Sequence, residues 1–169
     1  MNTFSSRLTT ILAVVIVTVG LDQWTKKLAV DHLQNADDQL VLGEFFRLTF
    51  AKNRGAFLSL GSELDEGMRN ILLNLVPAVL LIVLFVYLLR EKRINRWQVI
   101  GLAAIVGGGL SNIIDRILFG YVVDFMHMKV GNLQTGIFNI ADVAIMIGMG
   151  IMLRYAFQKQ PEEEVPEHS

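Results

Sequence analysis

Four long apolar blocks constrain this chain more than any other feature of its sequence. They cover residues 8–30, 71–89, 97–119 and 137–157, and each is close to the roughly 20 residues that a helix needs to cross a bilayer. The blocks predict an all-α integral membrane protein in which four transmembrane helices form one domain over residues 1–158. The first block could instead be a cleaved signal peptide, since Arg7 precedes it and "TVG" at residues 18–20 is similar to a small-x-small cleavage site.

The composition agrees with a membrane protein and removes several classes of function. The 169 residues are 53% hydrophobic, with a mean hydropathy of +0.47. A formal net charge of −1 and the lack of a long Lys/Arg run argue against a nucleic-acid partner. The sequence contains no Cys, which excludes thiol catalysis, disulfides and Cys-ligated metals.

The orientation is predicted from the short basic connection between the second and third blocks. Arg90, Lys92, Arg93 and Arg96 crowd this connection, as expected of a cytoplasmic loop. Both termini then face the cytoplasm, and the acidic, proline-containing residues 159–169 are predicted to be a disordered cytoplasmic tail.

Asp22 and Lys26 are predicted to form an ion pair within the first block. They lie one turn apart on the same helix face, and pairing allows charges to persist near a helix end. The pair favours a retained membrane helix over a signal peptide. Lys26 and Lys27 oppose the chosen orientation, but the charge density of residues 90–96 outweighs them.

Residues 31–68, between the first two blocks, are predicted to form a small β-rich segment on the outer membrane surface. In "FRLTFAK", Phe46, Leu48 and Phe50 alternate with polar neighbours, which is the pattern of a half-buried strand. "KNRGAF" supplies a glycine turn beside it. The apolar side of this sheet would face lipid or the helix ends.

Two carboxylates, Asp124 and Asp142, are the candidate catalytic residues. Asp124 follows the third block, and Asp142 lies roughly 9 Å into the fourth, so the topology permits both at the outer surface. Small residues in both helices permit close approach. Two close carboxylates cannot both ionise easily, so they share a proton and can hydrolyse an amide by general acid–base catalysis without a metal or another cofactor.

Several nearby polar residues are open to more than one interpretation. Asn112 could donate a hydrogen bond to the substrate or to the carboxylates, and Asn139 could orient Asp142 or simply cap its helix. Arg116 could serve the site or form an interfacial ion pair with Asp115. His127 is expected to lie on the surface.

A small proton-coupled transporter is an alternative function, because buried charges also mark ion pathways. The charged residues gather at one end of the helices, however, and do not form a path across the bilayer.

The motifs resemble those of the bacterial lipoprotein signal peptidases, the signal peptidase II family, over residues 15–155. They are, in order, "LDQWTKK", "KNRGAFLSL", "GGGLSNIIDR", "VVDF" and "FNIAD". The resemblance implies an inner-membrane aspartic endopeptidase that cuts prolipoproteins just before a diacylglyceryl-modified cysteine. Membrane lipid and globomycin-type inhibitors are the other implied partners.

The resemblance also implies roles for individual residues. Asp124 and Asp142 match the catalytic pair. Other positions match those that bind substrate or support the pair: Asn53, Gly55, Asn112, Arg116 and Asn139. Asp22 and Lys26 match the polar pair of the first helix. The chain departs from the family pattern at Val143, where many relatives have Ser or Thr, and at "GAFLSL", where "GAAFS" is common; these differences bear on inhibitor or substrate preference.

Overall fold

The chain is mostly helical. A computed structural model describes residues 4–55 and 65–157. The helices are α1 (Phe4–Leu33), α2 (Glu66–Asn70), which continues through a π-helical segment (Ile71–Leu75) into α3 (Val76–Arg90), α4 (Arg96–Phe119) and α5 (Ile140–Ala156). Within these described residues, three helical segments are long and apolar enough to cross a membrane: Phe4–Leu33, Ile71–Arg90 and Arg96–Phe119.

The boundaries of α4 and α5 follow from capping chemistry. Asn95 and Gln98 form a reciprocal capping box that starts α4, and Gly120, with a φ of 76°, ends it in the left-handed conformation that glycine adopts without strain. Asn139 caps α5, so this helix begins at Ile140 and not near residue 137 as its apolar block indicated. At 17 residues, α5 is about 26 Å long.

Small residues bring the backbones of α4 and α5 into contact. A Cβ atom on Gly108 would lie 2.5 Å from the carbonyl oxygen of Ala141, and one on Gly148 would overlap the carbonyl of Gly101. The close approach predicted from the small residues is therefore present. It places Asn112, one turn beyond Gly108, beside the first turn of α5.

In the part of the chain that the structure describes, four antiparallel strands form a sheet in the order β1-β2-β3-β4. They are β1 (Gln39–Leu42), β2 (Phe46–Asn53), β3 (Val122–Val130) and β4 (Leu133–Gln134). The strand predicted from the alternation around Phe46 is confirmed as β2. β1 lies in the same predicted segment as β2, whereas the segment between α4 and α5 supplies β3 and β4. β3 carries Asp124 opposite Ala51 of β2.

The sheet packs against the C-terminal end of α1. Ala29 and Leu33 of α1 form a buried cluster with Val123, Phe125 and Met126 of β3, and apolar residues of β2 pack against this cluster. The apolar side of β2 therefore faces a helix end, one of the two surfaces expected for it. The sequence departure at residues 56–60 and the acidic tail at residues 159–169 lie outside the described residues.

Candidate active site

Asp124 and Asp142 line one small cavity of about 50 Å³ where the sheet meets α4 and α5. The full set of lining residues is Asn53, Asn112, Arg116, Val122, Asp124, Gly136, Ile137 and Asp142. The fold thus brings together carboxylates that are 18 positions apart in sequence. Five of the predicted site residues line the cavity: Asn53, Asn112, Arg116, Asp124 and Asp142. Two others, Gly55 and Asn139, contact residues that line it, and Asp22 and Lys26 are not among the lining residues.

Both oxygens of Asp124 accept hydrogen bonds from neutral amides. Asn53 Nδ2 donates to Oδ2 at 2.9 Å, and Asn139 Nδ2 donates to Oδ1 at 2.7 Å. The side chain is deeply buried at 2% exposure. Burial raises the pKa of Asp124 to about 6, and the negative charge of Asp142 adds to this, while the amides of Asn53 and Asn139 oppose the shift.

Asp142 is held by the first turn of α5 and by α4. Its backbone N–H donates to Asn139 Oδ1 at 2.9 Å, and its Oδ2 accepts from the backbone N–H of Asn139 at 3.2 Å. Its Oδ1 accepts from Asn112 Nδ2 at 3.0 Å. Asp142 therefore also receives only neutral donors, and both functions suggested for Asn139, helix cap and orienting residue, are present together.

Asn112 and Asn139 connect the two carboxylates. Asn139 Nδ2 lies 3.2 Å from Asn112 Oδ1 in addition to its bond to Asp124. Lys26 Nζ donates to the same Asn112 oxygen at 2.9 Å. Because these two donors fix the oxygen side of the Asn112 amide, its NH₂ group is directed toward Asp142.

Residues 53–55 border the cavity and are hydrogen-bonded to two residues that line it, Asp124 and Arg116. Asn53 Oδ1 accepts from the backbone N–H of Gly55 at 3.0 Å, while its NH₂ group bonds Asp124. Arg116 Nη2 donates to the carbonyl oxygen of Gly55 at 3.1 Å. The end of β2 is thereby joined to β3 and to α4.

A second buried network, the Lys26 cluster, lies beside the cavity and consists of Asp22, Gln23, Lys26, Ser111 and Asp115. Lys26 Nζ is 2.6 Å from Asp22 and 2.9 Å from Asp115. The pairing of Asp22 with Lys26 is thus confirmed. The ion pair suggested between Asp115 and Arg116 is wrong, because Asp115 faces α1 and its oxygens are taken by Lys26, Gln23 and the backbone N–H of Val123.

The Lys26 cluster ties α1 to the start of α5. Asp22 Oδ1 accepts from the backbone N–H of Ala141 at 2.8 Å, and Asp22 Oδ2 accepts from Ser111 Oγ at 2.7 Å. Sequence reasoning missed Gln23 and Ser111. Their only signal was their position beside Asp22 and Asn112 within the quoted motifs.

His127 is buried, so its predicted surface position is wrong. Arg47, its cross-strand neighbour on β2, donates from Nε to His127 Nδ1 at 2.8 Å. Within residues 4–55 and 65–157, no three Asp, Glu or His side chains are grouped as metal ligands would be.

Comparison with known proteins finds relatives of this chain both by sequence and by structure. Residues 14–158 match the family model for signal peptidase (SPase) II. A lipoprotein signal peptidase of Acinetobacter baumannii is 41% identical over 84% of this chain and 80% of its own length. That of Borrelia turicatae is 34% identical over 92% of this chain and 94% of its own.

One solved structure with a similar fold is that of a bacterial membrane enzyme. It superposes with a TM-score of 0.79 at 27% identity, covering 93% of this chain and 94% of the other. The chain belongs to the signal peptidase II family of membrane aspartic proteases, which remove signal peptides from prolipoproteins.

Proposed function

We propose that the protein is an intramembrane endopeptidase in which Asp124 and Asp142 activate water to cut prolipoproteins just before the diacylglyceryl-modified cysteine. The observation that carries this proposal is the shared cavity of the two carboxylates, whose hydrogen-bond donors are all uncharged. The raised pKa of Asp124, about 6, supports a proton shared within the pair near neutrality.

The chemistry follows from the shared proton. The ionised carboxylate accepts a proton from water, and the protonated carboxyl donates a hydrogen bond to the scissile carbonyl oxygen. The water oxygen then adds to the carbonyl carbon. When the C–N bond breaks, the leaving nitrogen takes a proton from the pair, and the cysteine retains its lipid on the new amino terminus.

The asparagines act by positioning the two carboxylates. Asn112 fixes the position of Asp142, and Asn139 fixes that of Asp124. The bonds from Asn53 to Asp124 and from the Gly55 N–H to Asn53 hold the end of β2 over the cavity. A cavity of about 50 Å³ is too small for a lipidated peptide, and we infer that residues 53–55 move aside when substrate enters. Their return would exclude bulk water during hydrolysis.

The proposed topology has four transmembrane helices in the bacterial inner membrane, with both termini in the cytoplasm and the cavity near the outer face. The 26 Å length of α5 is close to the hydrocarbon thickness, which supports it as the fourth span. The basic residues 90–96 lie at the opposite end of α4 from Arg116, which supports the orientation. Reporter fusions at Arg93 and after Gln158 should report cytoplasm, and fusions near Asp37 and Gly131 the opposite side.

Lipid recognition and inhibitor binding form a further part of the proposal. Diacyl chains anchored in the bilayer would bring the scissile bond to the depth of Asp142, so that anchoring replaces extensive side-chain recognition. Globomycin-type inhibitors are expected to bind at the same cavity, in competition with substrate.

The test uses purified protein in liposomes and one precursor in two forms, with and without the diacylglyceryl group on its cysteine. We expect cleavage of the lipid-modified form only, with product masses that place the cut directly before the cysteine. Proton flux measured on the same vesicles addresses the transporter alternative. Flux without cleavage, or a cut at another bond, would contradict the proposed function.

A further inference from the structure

Arg116 has unused hydrogen-bonding capacity inside the catalytic cavity. A guanidinium carries five N–H groups. Nη2 donates to the carbonyl of Gly55 at 3.1 Å, and Nη1 makes a long contact of 3.5 Å with the carbonyl of Asn112. The Nε atom is buried and has no acceptor among the described residues.

No carboxylate of the described residues forms an ion pair with Arg116. Its neighbour in sequence, Asp115, is committed to the Lys26 cluster. Asp124 and Asp142 line the same cavity and act on the guanidinium through space, yet their oxygens are taken by asparagine donors. The cavity wall therefore includes a cation whose Nε–H has no acceptor among the described residues.

The reaction itself generates an anionic acceptor at this place. Hydrolysis adds the water oxygen to the scissile carbonyl carbon, breaks the C–N bond, and leaves a carboxylate at the C-terminus of the signal peptide. That carboxylate forms in a buried cavity beside an aspartate pair that already carries negative charge. Without a cation in the cavity, charge repulsion and burial would oppose its formation.

We propose that Arg116 binds the carboxylate of the cleaved signal peptide, with its free Nε–H as the donor. The inference rests on the proposed endopeptidase function and assigns a product-binding residue to it. The scissile carbonyl is neutral, whereas the product carboxylate carries a full charge, so Arg116 interacts more strongly with product than with substrate. It thereby favours the cleaved state and slows release of the peptide.

The test compares two synthetic peptides as inhibitors of cleavage at pH 7. Both have the sequence of the signal peptide released from the precursor used, one ending in a free carboxylate and the other in a carboxamide. For the unaltered protein we expect the acid to inhibit at about one-tenth of the concentration that the amide requires, as removal of a charge-assisted hydrogen bond predicts.

Substitutions test whether the preference for the acid peptide over the amide peptide depends on Arg116. Arg116→Gln should bring the amide-to-acid ratio of inhibition constants to about one. Arg116→Lys should retain part of the preference, because an ammonium keeps the charge but lacks the planar fork. Arg93→Gln, which makes the same change on the exposed basic connection, should leave the ratio as in the unaltered protein.

The ratio of the two inhibition constants is informative because a general loss of structure weakens the binding of both peptides to the same extent. If Arg116→Gln does not turn over, direct binding of fluorescently labelled acid and amide peptides gives the same ratio. Equal inhibition by acid and amide in the unaltered protein, or an unchanged ratio in Arg116→Gln, would overturn the proposal. A protein that fails to cleave lipid-modified precursor at all would instead refute the proposed function.

Discussion

Two buried polar networks lie side by side in this protein, and they differ in the charge of the groups that bind their carboxylates. In the Lys26 cluster, one ammonium contacts both Asp22 and Asp115. In the cavity, Asp124 and Asp142 receive hydrogen bonds from asparagine amides and a backbone N–H, with no cation in ion-pair contact among the described residues.

This difference is the basis on which we assign two kinds of role to the four aspartates. A carboxylate in contact with the Lys26 ammonium is fixed in place by that contact, so we assign it a structural role. Burial without a paired cation favours the protonated form of a carboxyl group, so a carboxylate that receives only neutral donors can bind a proton. The Lys26 cluster also supports the cavity, because Lys26 orients the Asn112 amide that bonds Asp142.

The largest effect is expected on removing the cation of the Lys26 cluster. Lys26→Met leaves Asp22 and Asp115 buried without their counter-charge, which should cost about 3–5 kcal/mol of stability. We expect a large fall in the thermal unfolding midpoint and loss of cleavage. Lys27→Met is the matched control, since Lys27 pairs with Asp31 in an exposed i, i+4 bridge and should cost at most about 1 kcal/mol. Equal midpoints for the two variants would show that the Lys26 cluster is not structural.

The next effect concerns the residue that joins the two networks. Asn112→Ala removes the donor to Asp142 and the acceptor of Lys26, so the carboxylate loses its fixed position. We expect kcat/KM to fall about 100-fold, and the protein to remain folded. Asn74→Ala, which removes an asparagine from the π-helical segment, is the control and should cleave at the unaltered rate. The positioning role of Asn112 fails if both variants have the same kcat/KM.

A smaller effect is expected on the pH dependence of cleavage. The Asn53 amide stabilises the ionised form of Asp124, so Asn53→Ala should raise the pKa of Asp124. The basic limb of the kcat/KM profile, which reports the free enzyme, should then move up by about one pH unit. Thr49→Ala on the same strand should leave the limb unchanged. A downward shift in Asn53→Ala would contradict the assignment of Asp124 to this limb.

The smallest effect concerns stability and pH. Because the folded-state pKa of Asp124 is raised from 3.8 to about 6, the folded protein binds the proton more tightly, and stability falls as pH rises through that window. Asn does not titrate, so Asp124→Asn should gain about 1 kcal/mol relative to the unaltered protein between pH 5 and pH 7. Thermal unfolding of both proteins at the two pH values measures this gain. A stability difference between the two proteins that is the same at pH 5 and pH 7 would mean that ionisation of Asp124 does not destabilise the folded protein.

Local patterns predicted the parts of this molecule that local physics determines. The i, i+4 spacing of Asp22 and Lys26 identified an ion pair, since such residues share a helix face. The alternation around Phe46 identified β2. Both features depend on a few neighbouring residues, so neither required knowledge of the fold.

Features that depend on distant parts of the chain were missed. β3 is buried along most of its length, so its apolar and polar residues do not alternate. The sequence therefore indicated only an apolar run there. His127 is buried because Arg47 of β2 lies opposite it. Asp115 appeared to belong with Arg116, although adjacent helix residues point in different directions, and its partner Lys26 lies 89 positions earlier.

Cleavage of lipid-modified precursor by Asp124→Asn and Asp142→Asn tests the central claim most directly. Each purified variant is measured in liposomes beside the unaltered protein, with the thermal unfolding midpoint recorded on the same sample. Because each substitution removes one member of the proton-sharing pair, we predict a folded protein whose turnover falls by at least about a thousandfold. Cleavage by either folded variant at the unaltered rate would contradict the assignment of Asp124 and Asp142 as the catalytic pair.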